Sequence, residues 1–310
     1  MSLHLIFFYG LGEHALSKYW GLAIATYLFL GGLAGGMYIT GYFAYLYRHR
    51  GTILDIIYRF GTALSGIVLV VGLLSLIYDH PNVVITIINP TLFQNLGSWL
   101  AIGSWIILFF LIIWFVLLLE ELGKLKVPDG LKLSAMTINS FLAFMIILYT
   151  ALLLRGATAV PMWQSLALPM LFVVSGISTG IAACALYGII KVKETELSLK
   201  AADAALIALE IGLVAYFLVD LSGMGSKSGF PIMSLGAKAS LDLILNGAYS
   251  IPFIYGFVGL GLVFPLIMYG LSILKKSLVT DAISSVSVLI GGYIFRIVII
   301  AAAAKALTFP

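Results

Sequence analysis

Residues 99–119 read WLAIGSWIILFFLIIWFVLLL, a run of 21 residues without a charged side chain. A helix of about 20 apolar residues crosses the hydrocarbon core of a bilayer, because each residue advances the helix by about 1.5 Å. Runs of similar length occur on both sides of this one. The eight predicted membrane spans cover residues 20–46, 58–78, 99–119, 134–154, 163–190, 202–222, 248–273 and 282–304.

The whole chain is therefore predicted to be an all-α, polytopic membrane protein with eight transmembrane helices. We expect one integral membrane domain over residues 1–310, with residues 1–19 as an extracytoplasmic N-terminal segment. That segment does not resemble a cleaved signal peptide, because it lacks a basic start and its apolar stretch is short.

The composition excludes several other classes of protein. The chain has 310 residues, of which 62% are hydrophobic and 10% are charged, and its mean hydropathy is +1.13. A soluble domain is about one quarter charged. A chain with so few charges cannot cover a water-facing surface, which excludes a soluble enzyme, a disordered protein and a conventional nucleic-acid binder. An outer-membrane barrel is excluded because its strands alternate apolar and polar residues.

Basic residues cluster in alternate connections. Of the 17 lysines and arginines, 11 follow the first, third, fifth or seventh predicted span. The positive-inside rule places these connections in the cytoplasm. We therefore predict a multi-pass protein of the cytoplasmic membrane with both termini outside, and with the 79–97 and 221–247 connections outside. The 11 residues are Arg48, Arg50, Arg59, Lys124, Lys126, Lys132, Lys191, Lys193, Lys200, Lys275 and Lys276.

Cysteine and histidine usage argues against a tightly held redox group. A single cysteine, Cys184, excludes an internal disulfide and a four-thiolate iron–sulfur site. The four histidines lie outside the apolar runs, so facing helices cannot supply paired axial ligands to a haem. We expect the chain itself to hold no haem and no metal.

The first and fifth spans share a weak sequence similarity. Each span has an aromatic residue followed by small residues three and seven positions later, a spacing that places them on one helical face. Such faces let neighbouring helices approach closely. This shared spacing is explained either by a parallel repeat of two four-helix bundles or by ordinary glycine-rich helix packing. The residues concerned are Phe29, Gly32, Gly36, Phe172, Ser175 and Thr179.

Two charged residues lie well inside predicted spans and away from their ends, where charges are costly and usually face a protein interior or a cavity. Glu210 is near the middle of the sixth span, and Arg296 is in the outer half of the eighth. An ion pair between them would reduce the cost of burying both. The pair is either structural or part of a proton route, and the sequence does not distinguish these two.

Polar side chains gather near the predicted outer face. Tyr27 and Tyr149 lie within about two helical turns of it. A phenol beside a carboxylate in an apolar pocket suits a quinone, because the phenol donates to a carbonyl and the carboxylate exchanges the proton. Taken singly, these residues are equally consistent with membrane anchors and helix caps. The charged residues at this face are Asp79, Arg155, Asp220 and Asp242.

Short motifs occur in a fixed order along the chain. The ordered set resembles the NrfD / polysulfide reductase membrane-subunit family from Trp20 to Arg296. The matching segments are Trp20, Tyr27-Leu-Phe-Leu-Gly-Gly-Leu-Ala-Gly-Gly36, Asp79-His-Pro81, Asn89-Pro-Thr91, Gly97-Ser-Trp99, Gly103-Ser-Trp105, Tyr149-Thr150, Pro161-Met-Trp163, Leu168-Pro169, Gly247, Phe257, Gly259, Pro265 and Gly291-Gly-Tyr-Ile-Phe-Arg296.

The resemblance implies a membrane subunit of a multi-subunit oxidoreductase. Such subunits dock an iron–sulfur electron-transfer subunit joined to a molybdopterin catalytic subunit, here expected on the extracytoplasmic side. They exchange electrons with an exchangeable quinone, menaquinone or similar. Membrane lipid is the other expected partner, and nucleic acid is not one.

The resemblance also implies the quinone-site residues. In the polysulfide reductase branch they are a histidine in the first span, the tyrosine of the Tyr-Thr segment and an aspartate near the start of the seventh span. By position these are Tyr149 and Asp242, while the histidine position holds Tyr27. A tyrosine still hydrogen-bonds a quinone, but free tyrosine does not titrate near neutrality. Arg155 is close enough to polarise a quinone oxygen, which is our own inference and not a family feature.

These expectations combine into one functional prediction. The chain relays electrons between the quinone pool and an extracytoplasmic iron–sulfur subunit, in sulfur or polysulfide respiration, and is not catalytic alone. The alternative is a proton-coupled secondary transporter with a midplane site at Glu210 and Arg296. A third possibility is a passive anchor for a soluble enzyme.

Overall fold

The computed structural model describes residues 21–79, 99–227, 231–274 and 277–303, and all regular structure in these ranges is helical. Short 3₁₀-helices cover Arg48–Arg50 and Pro161–Gln164, and a π-helix, Pro252–Val263, leads directly into α8. The α-helices are α1 (Leu22–Tyr47), α2 (Thr52–Asp79), α3 (Trp99–Glu121), α4 (Asp129–Arg155), α5 (Ala167–Val192), α6 (Leu197–Lys227), α7 (Pro231–Leu245), α8 (Phe264–Leu274) and α9 (Leu278–Ala301).

Some predictions fall outside the described residues. They include the N-terminal segment 1–19, Trp20, the motif residues between 80 and 98, and two of the basic residues, Lys275 and Lys276.

The predicted fold class is confirmed. Within the described ranges, eight helices are long and apolar enough to cross a membrane. Their number and order match the eight apolar runs of the sequence. In a bilayer core every backbone N–H and C=O needs a partner inside the chain, and a helix provides one for each.

Three helices begin five or six residues before the predicted spans. α2, α4 and α6 begin at residues 52, 129 and 197, so Arg59, Lys132 and Lys200 lie inside helices and not in connections. Hydropathy marks the hydrocarbon core, whereas a helix continues into the polar layer when its charges are paired. Arg59 illustrates this, because its Nε lies 2.9 Å from Asp55 one turn earlier.

The 221–247 segment was predicted as a connection, and the structure corrects this. α6 continues to Lys227, and α7 occupies Pro231–Leu245. Pro231 stands at the first helical position, where the missing N–H costs nothing. With 15 residues, α7 is too short to cross a membrane, so the search for long apolar runs did not detect it.

The seventh span winds as a π-helix over its first 12 residues. Such windings are rare and normally confined to single turns. A glycine contact accompanies the unusual winding: a Cβ atom on Gly261 would lie 2.6 Å from the Cα of Gly291 on α9. The π-helix and α9 therefore approach each other at backbone distance.

The helices pack as two groups of four. α1 to α4 contact one another and form the first bundle, while α5, α6, the π-helix with α8, and α9 form the second. The main contact between the bundles is α1 against α5. We call the side with the α1–α2, α3–α4, α5–α6 and α8–α9 connections the basic face, and the other side the opposite face.

Small residues explain the close contact between α1 and α5. A Cβ atom on Gly36 would lie 2.9 Å from the carbonyl carbon of Gly176 and 3.1 Å from the Cα of Gly180. Gly32 also faces Gly176, with 3.7 Å between a Cβ atom on Gly32 and the Gly176 Cα. The two helices therefore meet through a Gly-x-x-x-Gly pair on each, a spacing that permits backbone contact. On α1 these glycines belong to the spacing that the first and fifth spans share, whereas on α5 they lie one position after the predicted Ser175 and Thr179.

Candidate functional site

Two buried tyrosines form the core of the candidate site. Tyr27 on α1 is 2% exposed and Tyr149 on α4 is 3% exposed. Their side chains are neighbours, close enough for the two phenols to interact electrostatically. Each lies within about two turns of the helix end at the opposite face. The structure thus joins two residues that are more than a hundred positions apart, and we call them the tyrosine pair.

Glycines on the other two helices of the first bundle make room for the tyrosine rings. The ring of Tyr149 lies directly on Gly103 of α3, where a Cβ atom would sit 2.5 Å from Cδ2 and still closer to the neighbouring ring atoms. The ring of Tyr27 lies beside Gly72 of α2, with its Cδ2 3.7 Å from a Cβ atom at that position. All four helices of the first bundle therefore shape the tyrosine pair, and Gly103 explains part of the Gly-Ser-Trp motif.

The tyrosine pair fits a quinone carbonyl. It lies in the main hydrophobic core, which also contains Ile24, Leu28 and Ile146. Each phenol carries one hydroxyl hydrogen and accepts at its oxygen. A hydrogen bond between the two phenols would use one of the two hydrogens, which leaves the other for an acceptor such as a carbonyl oxygen. A few polar groups in apolar surroundings are typical of small-molecule sites.

Arg155 lies at the end of α4, about 9 Å along the helix axis from Tyr149. Its carbonyl oxygen accepts a hydrogen bond from Gln164 Nε2 at 3.1 Å, which joins α4 to the Pro161–Gln164 turn. Within the described ranges no carboxylate pairs with its guanidinium. Arg155 therefore stands near the tyrosine pair without touching it.

Asp242 is not brought to the tyrosine pair. Its side chain is exposed and accepts a hydrogen bond from Asn246 Nδ2 at 3.0 Å. The main contacts of α7 are with α6 and the Pro161–Gln164 turn, not with the helices that carry the tyrosines. The expected triad of two tyrosines and an aspartate is therefore incomplete in this structure, because α7 turns this carboxylate outward.

Glu210 and Arg296 do come together, beside a third residue. Glu210 is 2% and Arg296 is 1% exposed. The guanidinium Nη1 donates to Ser175 Oγ at 2.5 Å, and both Ser175 and Arg296 lie near the Glu210 carboxyl group. No direct salt bridge joins the two charged groups. The second Glu210 oxygen, Oε1, and Arg296 Nε have no hydrogen-bond partner. We call these three residues the charge cluster.

Aromatic rings enclose the arginine of the charge cluster. Its guanidinium carbon lies 5.0 Å from the centroid of the Phe172 ring and 5.1 Å from that of Phe295. Phe257 of the π-helix stacks on Phe295 with 4.5 Å between centroids. On the α1 side the guanidinium faces Gly32, where a Cβ atom would lie 3.4 Å from Nη2. Arg296 therefore contacts both bundles at their interface.

Polar residues near the opposite face form hydrogen bonds between neighbouring elements of the fold. Asp220 accepts a hydrogen bond from the hydroxyl of Ser165 at 2.7 Å. Trp163, within the Pro-Met-Trp motif, donates its indole N–H to the carbonyl of Ile299 at 2.9 Å. These contacts fasten the α4–α5 connection to α6 and α9. Asp79 remains outside this description, because its side chain is not among those described.

Sequence reasoning missed a second set of buried polar residues. Asp203 is 0% exposed and accepts hydrogen bonds from Ser178 at 2.6 Å and from Tyr269 at 2.8 Å. A usable signal was present: Asp203 precedes Glu210 by seven residues, which places both on one face of a helix. It was overlooked because the predicted span began at residue 202, which made Asp203 look like a helix-end charge.

We expect Gly103→Ala to disturb the tyrosine pair. The added methyl group would occupy the position of the Tyr149 ring, so either the ring or α3 must move. We expect a loss of about 1–3 kcal/mol in the free energy of unfolding together with weaker quinone binding. Unfolding in sodium dodecyl sulfate, followed by circular dichroism, measures the first effect.

Gly212→Ala is the matched control for this change. Gly212 lies within α6 and has no atom within 4 Å of an added Cβ. We expect this variant to be as stable as the parent chain or slightly more stable. Equal stability of the Gly103→Ala and Gly212→Ala variants would contradict the ring placement.

The chain matches one known family over nearly its whole length. The family described as Polysulphide reductase, NrfD matches residues 10–307. This range begins before α1 and ends after α9, so it contains both the tyrosine pair and the charge cluster. No curated protein shows a significant match to the chain.

Proposed function

Because the chain belongs to the polysulphide reductase NrfD family, whose members are generally membrane subunits of oxidoreductase complexes, we propose that it is the quinone-reactive subunit of such a complex. In this proposal it relays electrons between the quinone pool and an iron–sulfur subunit, in sulfur or polysulfide respiration. The observation that carries the proposal is the buried tyrosine pair, in which one hydroxyl hydrogen remains available inside an apolar bundle.

The tyrosine pair binds and orients the quinone head in this proposal. A bound quinone, menaquinone or similar, supplies the redox chemistry and exchanges with the pool. Tyr149, held on Gly103, donates its hydroxyl hydrogen to a carbonyl oxygen. Tyr27 donates to the Tyr149 oxygen and so fixes the orientation of the Tyr149 hydroxyl. Arg155 contributes a positive charge at the helix end. Asp242 takes no part, because its side chain faces away and pairs with Asn246.

The position of the tyrosine pair favours docking at the opposite face. We propose that the iron–sulfur subunit, joined to a molybdopterin catalytic subunit, docks there, because the tyrosine pair lies within about two helical turns of that face. We expect the docking surface at the 79–97 and 221–247 connections, and α7 lies within the second of these. The basic residues at the other face favour a cytoplasmic position for it. This orientation puts the docked subunits and both termini outside the cytoplasmic membrane.

The charge cluster favours the second candidate function, a proton-coupled secondary transporter. Glu210 lies near the middle of a membrane-spanning helix and keeps one unpartnered oxygen beside an arginine. Affinity purification of the chain from its native membranes separates the two functions. A co-purifying subunit with several four-cysteine clusters, an iron signal in electron paramagnetic resonance and a molybdopterin protein would support the relay. Recovery of the chain alone, without iron, would support the transporter.

The central prediction is that Tyr149→Phe stops quinol oxidation. Only the hydroxyl group is lost, so the ring still fills its place on Gly103. We expect turnover of the purified complex with menadiol to fall by about 100-fold, since loss of a positioned proton donor or acceptor typically costs about 10²–10⁴. We expect the affinity for menadione, followed by quenching of tryptophan fluorescence, to fall about 3–10-fold. The complex should remain assembled.

Tyr38→Phe is the matched control for that change. Tyr38 is also buried on α1, but its hydroxyl has no hydrogen-bond partner and lies near the basic face. We expect this variant to retain full turnover. A Tyr149→Phe complex as active as the Tyr38→Phe complex would contradict the quinone site and leave the chain as a passive anchor.

A further inference from the structure

The second bundle contains a line of buried ionisable and hydroxyl side chains that the proposed quinone site does not use. It begins at the basic face with an ion pair between Lys200 on α6 and Asp281 on α9. Ser272 on α8 joins both, since it accepts from Lys200 Nζ at 3.1 Å and donates to Asp281 Oδ1 at 2.6 Å. All three residues are buried. Buried ion pairs of this kind seldom add stability, so a role beyond folding is worth testing.

A small cavity reaches this ion pair from the basic face. Its outer wall includes Thr195 and Glu196 in the connection between α5 and α6. Its inner wall includes Lys200, Asp281 and Tyr269. The remaining lining is apolar and includes Ile53, Ile57 and Ile189. The polar groups give one water molecule hydrogen-bond partners, which is the condition for water to enter a buried space. The cavity thus links the surface at the basic face to the hydroxyl of Tyr269.

Tyr269 connects the cavity to the first buried carboxylate. Its hydroxyl donates to Asp203 Oδ2 at 2.8 Å, and Ser285 is a further hydrogen-bond partner of the same hydroxyl. The other Asp203 oxygen accepts from Ser178 Oγ at 2.6 Å. No cation lies in hydrogen-bonding contact with Asp203 among the described residues. Two hydroxyl donors without a counter-charge suit a carboxyl group that gains and loses a proton.

Two serines on α5 continue the line of polar side chains toward the charge cluster. Ser178 and Ser175 are three residues apart on one face of α5, about 4.5 Å along the axis. Ser178 contacts Asp203, while Ser175 accepts from Arg296 and lies near Glu210. The two carboxylates on α6 are about 10.5 Å apart along its axis, and the two serines lie along that interval without a direct hydrogen bond to each other. The line of polar side chains ends at Arg296, because phenylalanine rings surround its guanidinium.

We propose that this line is a proton half-channel, which opens at the basic face and ends at Glu210. A proton from water in the cavity joins the Tyr269 oxygen while the Tyr269 hydroxyl proton passes to Asp203, so one O–H bond forms as another breaks. From Asp203 the proton passes in the same way to Ser178, across a bridging water molecule to Ser175, and on to Glu210. No electron moves in these steps. Arg296 positions Ser175 and ends the path. The half-channel adds to the proposed function without resting on it, since quinone takes part in none of the steps.

Infrared spectroscopy of the purified full chain tests the half-channel. Protonated carboxyl groups give C=O bands that shift when the protein is moved from H₂O to D₂O. At a pH that protonates both carboxyl groups, we expect two such bands, one absent in Asp203→Asn and the other absent in Glu210→Gln. In Tyr269→Phe, which loses only the hydroxyl, we expect the Glu210 band to shift about tenfold more slowly or slower still, as for other lost proton-transfer groups.

Tyr293→Phe is the matched control, because the Tyr293 hydroxyl bonds Thr26 at 3.0 Å, away from the line. It should exchange at the parent rate. Ser178→Ala provides a second interruption if Tyr269→Phe unfolds, and circular dichroism verifies the fold of each variant. Absence of both bands, or a parent rate in Tyr269→Phe and Ser178→Ala, would overturn the half-channel. Menadiol turnover reports on the tyrosine pair separately: Tyr149→Phe should abolish turnover and leave the exchange rate unchanged.

Discussion

Replacing Gly36 by leucine is expected to prevent the two bundles from packing. The position faces the backbone of Gly176 and Gly180 on α5, and even a single Cβ atom would overlap the Gly176 carbonyl group. Inserting one methylene into a packed core costs about 1–3 kcal/mol, so Gly36→Ala should be destabilised by about that amount. A leucine adds three further carbon atoms at the same contact, and we expect no folded chain to be recovered in mild detergent. Size-exclusion chromatography of a fluorescently tagged chain measures the recovery.

A leucine at Gly212 separates this effect from general intolerance of bulky residues in the membrane. Gly212 is exposed on α6, and an added Cβ atom has no neighbour within 4 Å. The Gly212→Leu chain should therefore elute like the parent chain. A folded Gly36→Leu chain with normal elution would show that α1 and α5 do not cross at this glycine.

Replacing Arg296 by leucine should have the second largest effect, since it leaves the Glu210 carboxylate buried without its positive neighbour. Breaking a buried charge pair by removing one partner costs about 3–5 kcal/mol. The double variant Glu210→Leu/Arg296→Leu removes both charges, so we expect it to recover most of that loss. The free energies of unfolding of the two single variants and the double variant form a mutant cycle, and we expect a coupling energy of about 2–3 kcal/mol.

The exposed pair of Arg59 and Asp55 provides the comparison for that cycle. Their side chains are 57% and 38% exposed and 2.9 Å apart. Pairs of this kind contribute about 0.2–1 kcal/mol, so the same leucine cycle there should give a much smaller coupling. Additive effects of the Glu210 and Arg296 replacements would mean that Ser175 does not couple the two groups.

Several features were readable from the sequence because they depend on neighbouring residues alone. Apolar runs such as 99–119 located all eight spans, since the bilayer requires about 20 apolar residues in helical form. The isolated charges Glu210 and Arg296 were recognisable as buried, and the structure places both beside Ser175. The glycine spacing at Gly32 and Gly36 indicated close helix packing, although not its partner helix.

Other features required the folded chain. The sequence gives no sign that Gly103 carries the ring of Tyr149, because the two residues meet only when α3 packs on α4. Asp242 has the expected position in the chain, yet α7 turns it away from the tyrosines. Asp203 and Tyr269 become partners only through the packing of α6 against α8.

The sequence by itself thus determined that this protein lies in a membrane, that eight helices cross it, and that a few polar groups are buried within those helices. Only the tertiary structure decided which of these groups meet. The physical reason is that the bilayer acts on each apolar segment separately, through hydropathy and the need to satisfy every backbone hydrogen bond. Contacts between helices depend instead on the shapes of two surfaces that are distant in the chain, where a single glycine decides whether the helices touch.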